Sequence, residues 1–325
     1  MTGPRAPAST RAEAAAQFAA DVRYYLSLVP RQLPSKYLYD PLGSALFESI
    51  TWLPWYPLRR AEAALIEAHA LEIFRGAGLV STLLELGPGG GEKLLSLIVS
   101  GGRERTPLDV RLVDISAAAL ARATETLRSR SAARVTSYEA AYDAGLEQFR
   151  AERGGAGRTL VMFLGSNIGN FDPPGSEAFL RNVKAAIGGS GALLLGTDLV
   201  KPERDVLLAY DDPLGVTAAF NLNLLVRLNR ELDADFDVDA FSHRACWNNE
   251  ASRVEMHLVS RRSQRVRIPG AGLELALHPG ESIWTESSYK YEPSGVTALL
   301  ERNGFRLVSQ WVDGRHGFAL TLADA

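Results

Sequence analysis

One run, Leu83-Leu84-Glu85-Leu86-Gly87-Pro88-Gly89-Gly90-Gly91-Glu92-Lys93, constrains the fold more than any other part of the chain. An apolar stretch of strand length enters a glycine-rich turn, and a helical pattern follows. Glycine lets the backbone turn with φ > 0 and lets a ligand come close to the main chain. The helix beyond it offers N–H groups that have no partner inside the helix. Strand, glycine turn and helix in this order mark a small-molecule site at the carboxyl end of a strand in an open α/β sheet. The phosphate cradle G-x-x-x-x-G-K-[ST] is absent, and alternate glycines preceded by Glu85 depart from the dinucleotide pattern G-x-G-x-x-G. A second strand, Val110–Val113, ends in Asp114, where an acid can accept from ribose hydroxyls. Asp114-Ile115-Ser116 also suits the start of the helix that follows. A nicotinamide site stays open on these two motifs alone.

Apolar runs and helical patterns alternate from there. Strands are expected at 81–86, 109–113, 133–138, 159–164 and 191–196, with helices at 60–75, 116–130 and 176–187. Such alternation predicts a parallel sheet with right-handed crossovers, and runs such as Leu160–Leu164 suit strands buried on both faces. After Asp198 the period changes. A helical stretch at 203–230, broken near Pro213 and Gly215, precedes alternating segments at 253–260, 264–268 and 272–277, which read as an antiparallel meander. The α/β pattern returns from 294. Residues 1–10 are expected to be disordered, and 29–62, with Pro54 and Pro57, to form a shaped aromatic loop. The expected organisation is an N-terminal arm (1–62) that is part of the substrate domain, a ligand-binding α/β domain (63–198), an inserted α+β domain (199–286) and a return to the first domain (287–325).

Composition narrows the function. With 35 basic and 38 acidic residues, a net charge of −3 and no basic block, nucleic acid is not an expected partner. Cys246 stands alone, so no internal disulfide or cysteine cluster is expected, and the five histidines show no ligand spacing; no metal is expected. No apolar run reaches the roughly 18 residues of a membrane span, and no signal-peptide pattern opens the chain, so a soluble cytoplasmic protein is expected; a monomer is also expected.

The E-x-G-x-G-x-G run resembles the first motif of S-adenosylmethionine-dependent methyltransferases. Further stretches are more specific: Leu33–Asp40, Gly43-Ser44 with Leu46-Phe47, Ile50-Thr51 with Leu53-Pro54, Phe163–Asn170, Leu195–Lys201, Ala209–Asp212, Gly215–Asn221 and Thr285–Ser288. Over roughly 20–325 the chain resembles the histidine Nα-methyltransferases of ergothioneine biosynthesis, which form trimethylhistidine (hercynine). The resemblance implies a Rossmann-like class I methyltransferase sheet with an inserted α+β substrate-binding domain. It implies S-adenosyl-L-methionine as co-substrate and a small amino acid, L-histidine, as partner.

The resemblance also implies roles. Gly87, Gly89, Lys93, Asp114, Ala141, Tyr142, Gly165 and Ser166 would hold the cofactor, Lys93 at its methionine carboxylate and Asp114 at its ribose. Asn170 and Tyr210 would hold the substrate carboxylate. Glu286 and Ser288, with Ser287 between them, would address the imidazole, since residues two apart in a strand share a face. Met256 and Phe47 would pack on the substrate. Tyr56 and Tyr39 would serve the amine as catalytic residues, and aromatic faces favour the quaternary cation that successive methylation makes. The chain departs from the family pattern at three places. Ala141-Tyr142 replaces an Asp–aromatic pair that would hold the adenine edge, Asn167 replaces a threonine, and Leu53–Pro57 is one residue short. The same fold acting on another amino acid such as a tryptophan derivative, and a non-catalytic cofactor-binding protein, are the alternatives. A ring with one N–H would not need both Glu286 and Ser288.

Overall fold

A computed structural model describes residues 8–153 and 157–325. In chain order its elements are α1 (Ala8–Leu26), β1 (Arg31–Gln32), α2 (Pro41–Trp52), α3 (Leu58–Ala77), β2 (Val80–Leu86), α4 (Glu92–Ser100), β3 (Asp109–Asp114) and α5 (Ala117–Arg130). Next are β4 (Arg134–Glu139), α6 (Tyr142–Glu152), β5 (Arg158–Phe163), α7 (Pro173–Ile187), β6 (Ala192–Asp198), α8 (Glu203–Tyr210) and α9 (Val216–Leu232). The chain continues through β7 (Phe241–Asn248), β8 (Arg253–Ser260), β9 (Gln264–Ile268), β10 (Leu273–Leu277), β11 (Ser282–Tyr289), α10 (Pro293–Arg302), β12 (Arg306–Asp313) and β13 (Phe318–Asp324). Of the first ten residues, expected to be disordered, seven lie outside the described residues and the rest open α1.

The chain divides into two compact units. One holds Tyr56–Pro202, Glu250–Ser252 and Ser288–Ala325. Its sheet, among the described residues, has seven strands in the order β12-β13-β6-β5-β2-β3-β4. The five from β6 to β4 pair in parallel. Their interiors are apolar on both faces; Leu83, Leu84, Leu112, Val161, Met162 and Leu194 are fully buried. This is the Rossmann-like sheet of the class I methyltransferase fold. The last two strands depart from the parallel pairing of the other five: β13 runs antiparallel to both β6 and β12. A short turn joins β12 to β13, and only antiparallel neighbours can be joined that way. Strand order reverses at β2, so the carboxyl ends of β2 and β5 flank the crevice where ligands of such sheets bind.

The other unit holds the chain up to Trp55 together with Glu203–Asn249 and Arg253–Ser287. The boundary expected at 62 would cut α3, whose Leu58, Ala61 and Glu62 are already buried in the sheet unit. The boundaries expected at 198 and 286 fall at 202 and 287. A four-stranded sheet, β1-β11-β8-β7, and a separate pair, β10-β9, replace the expected meander. β8 finds its antiparallel partner in β7, which lies before it in sequence. Most β7 side chains are half-buried, so no alternation announced that strand. Helix α9 carries the core of this unit, burying Phe220, Leu224, Leu225, Leu228 and Leu232.

The segment expected to be a loop contains helix α2. Asp40 caps it, accepting from Gly43 N–H at 2.7 Å, and Pro41 occupies the first turn, where the missing N–H costs nothing. The prolines that suggested a loop, Pro54 and Pro57, lie beyond its end.

Candidate active site

In the sheet unit the expected cofactor residues gather at the carboxyl ends of the parallel strands. Gly87 and Gly89 have φ of 74° and 57°, a conformation that requires glycine. A Cβ on Gly87 would stand 2.9 Å from the Tyr142 hydroxyl and 3.2 Å from Asn167 Nδ2, whereas one on Gly89 would meet nothing within 4 Å. The turn is thus lined by a phenol and an amide and open at Gly89. Tyr142 packs edge-on against Phe163, with ring centroids 5.2 Å apart, and burial pushes its phenol above the usual range. Ala141 is exposed and contributes only a methyl group. Asp143 does not replace the acid missing there, because it accepts from Asn182 Nδ2 at 3.0 Å and is turned to α7.

Asp114 accepts from Ser116 N–H through Oδ1 at 2.8 Å, and Ser116, not Asp114, caps α5. Burial raises the Asp114 carboxyl above its ordinary value. Its second oxygen suits a ribose hydroxyl.

Of two buried acids here, Glu62 escaped the sequence reading, and Glu85 was read only as part of the glycine motif, without a role of its own. Glu62 is fully buried on α3; it accepts from Gly165 N–H at 2.8 Å through Oε1 and from Lys93 Nζ at 2.6 Å through Oε2. Lys93 is therefore held by a protein carboxylate rather than standing as a lone cation, and its remaining hydrogens are what a ligand carboxylate could accept. Glu85, the acid before the glycines, is also fully buried, and neither of its oxygens has a hydrogen-bond partner among the described residues. Burial pushes its carboxyl up to about 8, against the pull of Lys93. An orphaned buried carboxyl beside an open glycine turn fits a cationic ligand group, and S-adenosylmethionine carries an ammonium, a sulfonium, a carboxylate and a ribose. The residues present fit it.

Gly165 and Ser166 both have positive φ, 75° and 61°; for serine that is an uncommon conformation. The Ser166 hydroxyl pins it by accepting from Asp198 N–H at 2.9 Å. Asp198 also binds the fully buried Lys290 at 2.8 Å, and Lys290 Nζ donates to the Ser288 hydroxyl at 2.9 Å. Ser166 and Ser288, far apart in sequence, thus belong to one buried network. Asn170 ends a short 3-10 turn, Asn167–Asn170, in which Gly169 approaches Tyr289 so closely that a Cβ would lie 2.6 Å from its carbonyl oxygen. Tyr56 is buried just before α3.

In the other unit, Tyr39 and Phe47 form an aromatic cluster with Phe220, at centroid distances of 5.3, 5.4 and 5.9 Å. Asp40 fixes the cluster's backbone, accepting from Asn223 and Arg230 at 2.7 Å each. Burial alone would raise the Asp40 carboxyl, but hydrogen bonds from Arg230, Gly43 and Asn223 hold it below its ordinary value.

Asn221, buried on α9, organises the rest. Its Nδ2 donates to His243 Nδ1 at 3.0 Å and to the His257 carbonyl at 3.2 Å, and its Oδ1 accepts from the Thr285 hydroxyl at 2.7 Å. Because Nδ1 accepts there, His243 carries its proton on Nε2 and donates to the Tyr210 carbonyl at 2.8 Å. Burial lowers the His243 pKa, which favours the neutral ring. One amide therefore ties together the carbonyl of Tyr210, the strand of Met256 and the residue before Glu286. Met256 is buried, and Glu286 and Ser287 are half-buried on β11.

The pairing of β7 with β8 also brings Cys246, Glu255 and His257 within 4.8 Å of one another, which their spacing did not announce. Glu255 there already accepts from Asn248 Nδ2 at 2.9 Å and binds Arg253 at 2.6 Å. A carboxylate neutralised by an arginine gives little to a metal ion, and no metal is assigned to these residues.

Residues 18–325 match the family described as histidine-specific methyltransferase, SAM-dependent. The chain belongs to this family. It is an S-adenosylmethionine-dependent methyltransferase. It is 41% identical over 309 residues, 93% of each chain, to a histidine N-alpha-methyltransferase of Mycolicibacterium smegmatis. It is also 41% identical over 308 residues, again 93% of each chain, to one of Mycobacterium tuberculosis. A protein named ergothioneine biosynthesis protein 1 from Schizosaccharomyces pombe is 26% identical over 300 residues, which are 88% of this chain and 38% of that one. No described helix of the enzyme is long and apolar enough to cross a membrane.

Proposed function

We propose that the enzyme methylates the α-amino nitrogen of L-histidine, successively to the trimethylated betaine hercynine, as a step of ergothioneine biosynthesis. The observation that carries this reading is the extent of the match to the two mycobacterial histidine N-alpha-methyltransferases. It runs over 93% of the chain and so includes the inserted segment as well as the glycine turn.

S-adenosylmethionine supplies an electrophilic methyl group on a sulfonium. The histidine nitrogen forms the new bond to that carbon as the carbon–sulfur bond breaks, and the electron pair leaves on a neutral thioether. The protein's task is alignment and desolvation, and alignment can contribute about 7–11 kcal/mol at its upper limit. In this reading Glu85, Gly87, Gly89 and Lys93 hold the methionine end, Asp114 the ribose, and Ala141, Tyr142, Gly165 and Ser166 complete the cofactor's surroundings. Asn170 and Tyr210 orient the substrate carboxylate with neutral donors. Glu286 accepts from one ring N–H, and Ser287, Ser288 and Met256 complete the ring's surroundings. Tyr56 and Tyr39 hold the amine in its neutral form, and the Tyr39–Phe47–Phe220 cluster gives the growing cation aromatic faces. A monomer in the cytoplasm is part of the same proposal.

Transfer of labelled methyl groups to histidine, with the products counted by mass spectrometry, tests it. Mono-, di- and trimethylated products should appear in sequence. Calorimetric titration of histidine, dimethylhistidine and tryptophan in the presence of S-adenosylhomocysteine should rank tryptophan last. Tryptophan ranking first, or methylation stopping at one group, would overturn the corresponding part.

A further inference from the structure

Two backbone carbonyls fix the proton on His243, a ring that no step derived so far uses. The His257 carbonyl accepts from Asn221 Nδ2 at 3.2 Å, which sets the direction of the Asn221 amide. The same Nδ2 lies 3.0 Å from His243 Nδ1, so Nδ1 must accept. The Tyr210 carbonyl, 2.8 Å from His243 Nε2, accepts as well, so Nε2 must carry the hydrogen. A second proton on the ring would set Nδ1–H against Nδ2–H. Turning the amide over would relieve that contact, but its oxygen would then face the His257 carbonyl. No orientation of Asn221 satisfies a doubly protonated ring.

The ring also joins elements distant in sequence, all within one compact unit. Tyr210 ends α8, and His243 on β7 holds its carbonyl. Two residues on, Asp212 secures the start of α9, accepting from Leu214, Val216 and Thr217 N–H at 3.0, 3.2 and 2.8 Å. The carboxylates of Asp211 and Asp212 face the ring from the turn after α8 and favour its protonation. α9 presents the neutral Asn221, and β8 presents His257, whose own protonation His243 disfavours. Burial outweighs the two carboxylates.

We propose that His243 is a positioning residue of the amino-acid site and its proton switch: the neutral ring holds the end of α8, and a second proton on it releases Asn221 and, with it, the placement of Tyr210. The inference rests on the reading above, in which Tyr210 orients the substrate carboxylate. Amino-acid affinity should then be complete while the ring is neutral and fall as acid protonates it.

Calorimetry of histidine in the presence of S-adenosylhomocysteine, from pH 8 to pH 5, compares wild type with His243→Gln and His243→Asn. The Gln amide N–H can still reach the Tyr210 carbonyl, and the Asn oxygen can still accept from Asn221; neither side chain titrates. Histidine's own imidazole titrates alike for every protein, so the ratio of variant to wild-type affinity isolates His243. That ratio should rise about tenfold toward pH 5, as expected if the pKa of the ring is one lower in the histidine complex than in the free protein. Affinity for S-adenosylhomocysteine should stay within about twofold of wild type in both variants. A purely structural role would lower histidine affinity equally at every pH, and a ratio that does not change with pH would overturn the inference. Should neither variant fold, wild type labelled with 15N at its histidines carries the test. One ring should show the Nε2–H tautomer at pH 8, and unlabelled histidine should move its titration midpoint down. An Nδ1–H tautomer for His243, or a midpoint that does not move, overturns the inference alone. Wild-type protein that binds no histidine at any pH overturns the histidine reading and this inference with it.

Discussion

Glu85 illustrates how one residue can be conspicuous in sequence and still conceal its chemistry. Its place before the glycines marks a motif, but only burial makes it a weak acid, with a pKa pushed up to about 8. Between its ordinary value of 4.5 and about 8 the folded enzyme keeps a proton that the unfolded chain has lost. Stability of the ligand-free protein therefore falls as pH rises through that window. Glu85→Gln removes the titration. The variant should melt higher than wild type at pH 8, and the gap should close toward pH 5; a gap that does not change with pH would sink the argument. On the proposed reading, in which Glu85 faces the ligand's ammonium, the same change should weaken S-adenosylhomocysteine binding by tenfold or more when read above pH about 8, where the carboxylate form prevails, an interaction worth about 1.5–3 kcal/mol. Glu62 is the opposite case. Nothing in an Ala-rich helical stretch distinguishes this glutamate from its solvated neighbours, and only the packing of α3 brings it to Gly165 and Lys93.

At the scale of elements, α2 and β7 show where periodicity misleads. Helix α2 lies in a segment whose prolines suggest a loop, yet Asp40, Pro41 and Gly43 form a complete start signal. Asp40→Ala removes the cap, leaves the Asn223 amide without this acceptor and leaves Arg230 with Glu231 alone. The loss should be about 2–4 kcal/mol in urea unfolding. Gly43→Ala should be at least as damaging for a different reason: its Cβ would lie 1.7 Å from the Leu38 carbonyl oxygen, so the turn into α2 must open. Hydrogen exchange should show faster opening of α2 in both variants. Strand β7 was invisible because its side chains are half-buried on both faces, so neither face supplies a clean apolar row. Asn221 belongs to this scale too, since a single amide satisfies groups on β7, β8 and β11. Asn221→Ala should cost about 2–3 kcal/mol and weaken histidine binding more than cofactor binding, both read by calorimetry.

At the scale of the whole molecule, the proposed reading gives Asp114 of the sheet unit to the cofactor and Glu286 of the other unit to the substrate. Glu286→Ala should weaken histidine binding by tenfold or more and leave S-adenosylhomocysteine affinity within about twofold, whereas Asp114→Ala should do the reverse. Equal loss of both ligands in either variant would contradict the assignment. The α/β alternation, the apolar runs at β2, β5 and β6 and the glycine turn were legible from the linear chain, because a strand buried on both faces and a turn that needs positive φ leave few other choices of residue. The stretches shared with the methyltransferase family were legible for the same reason, as residue types fixed in order. Long-range pairing was not. The partner of Lys93 is on α3, Lys290 beside Ser288 is anchored to Asp198 on β6, and β8 lies between β7 and the distant β11 rather than beside β9. Local propensity acts over a few residues and sets the strands, helices and turns. Which buried carboxylate meets which lysine depends on how those elements close around one another, and the free energy that decides it, burial of a charge against its pairing, exists only once they have closed.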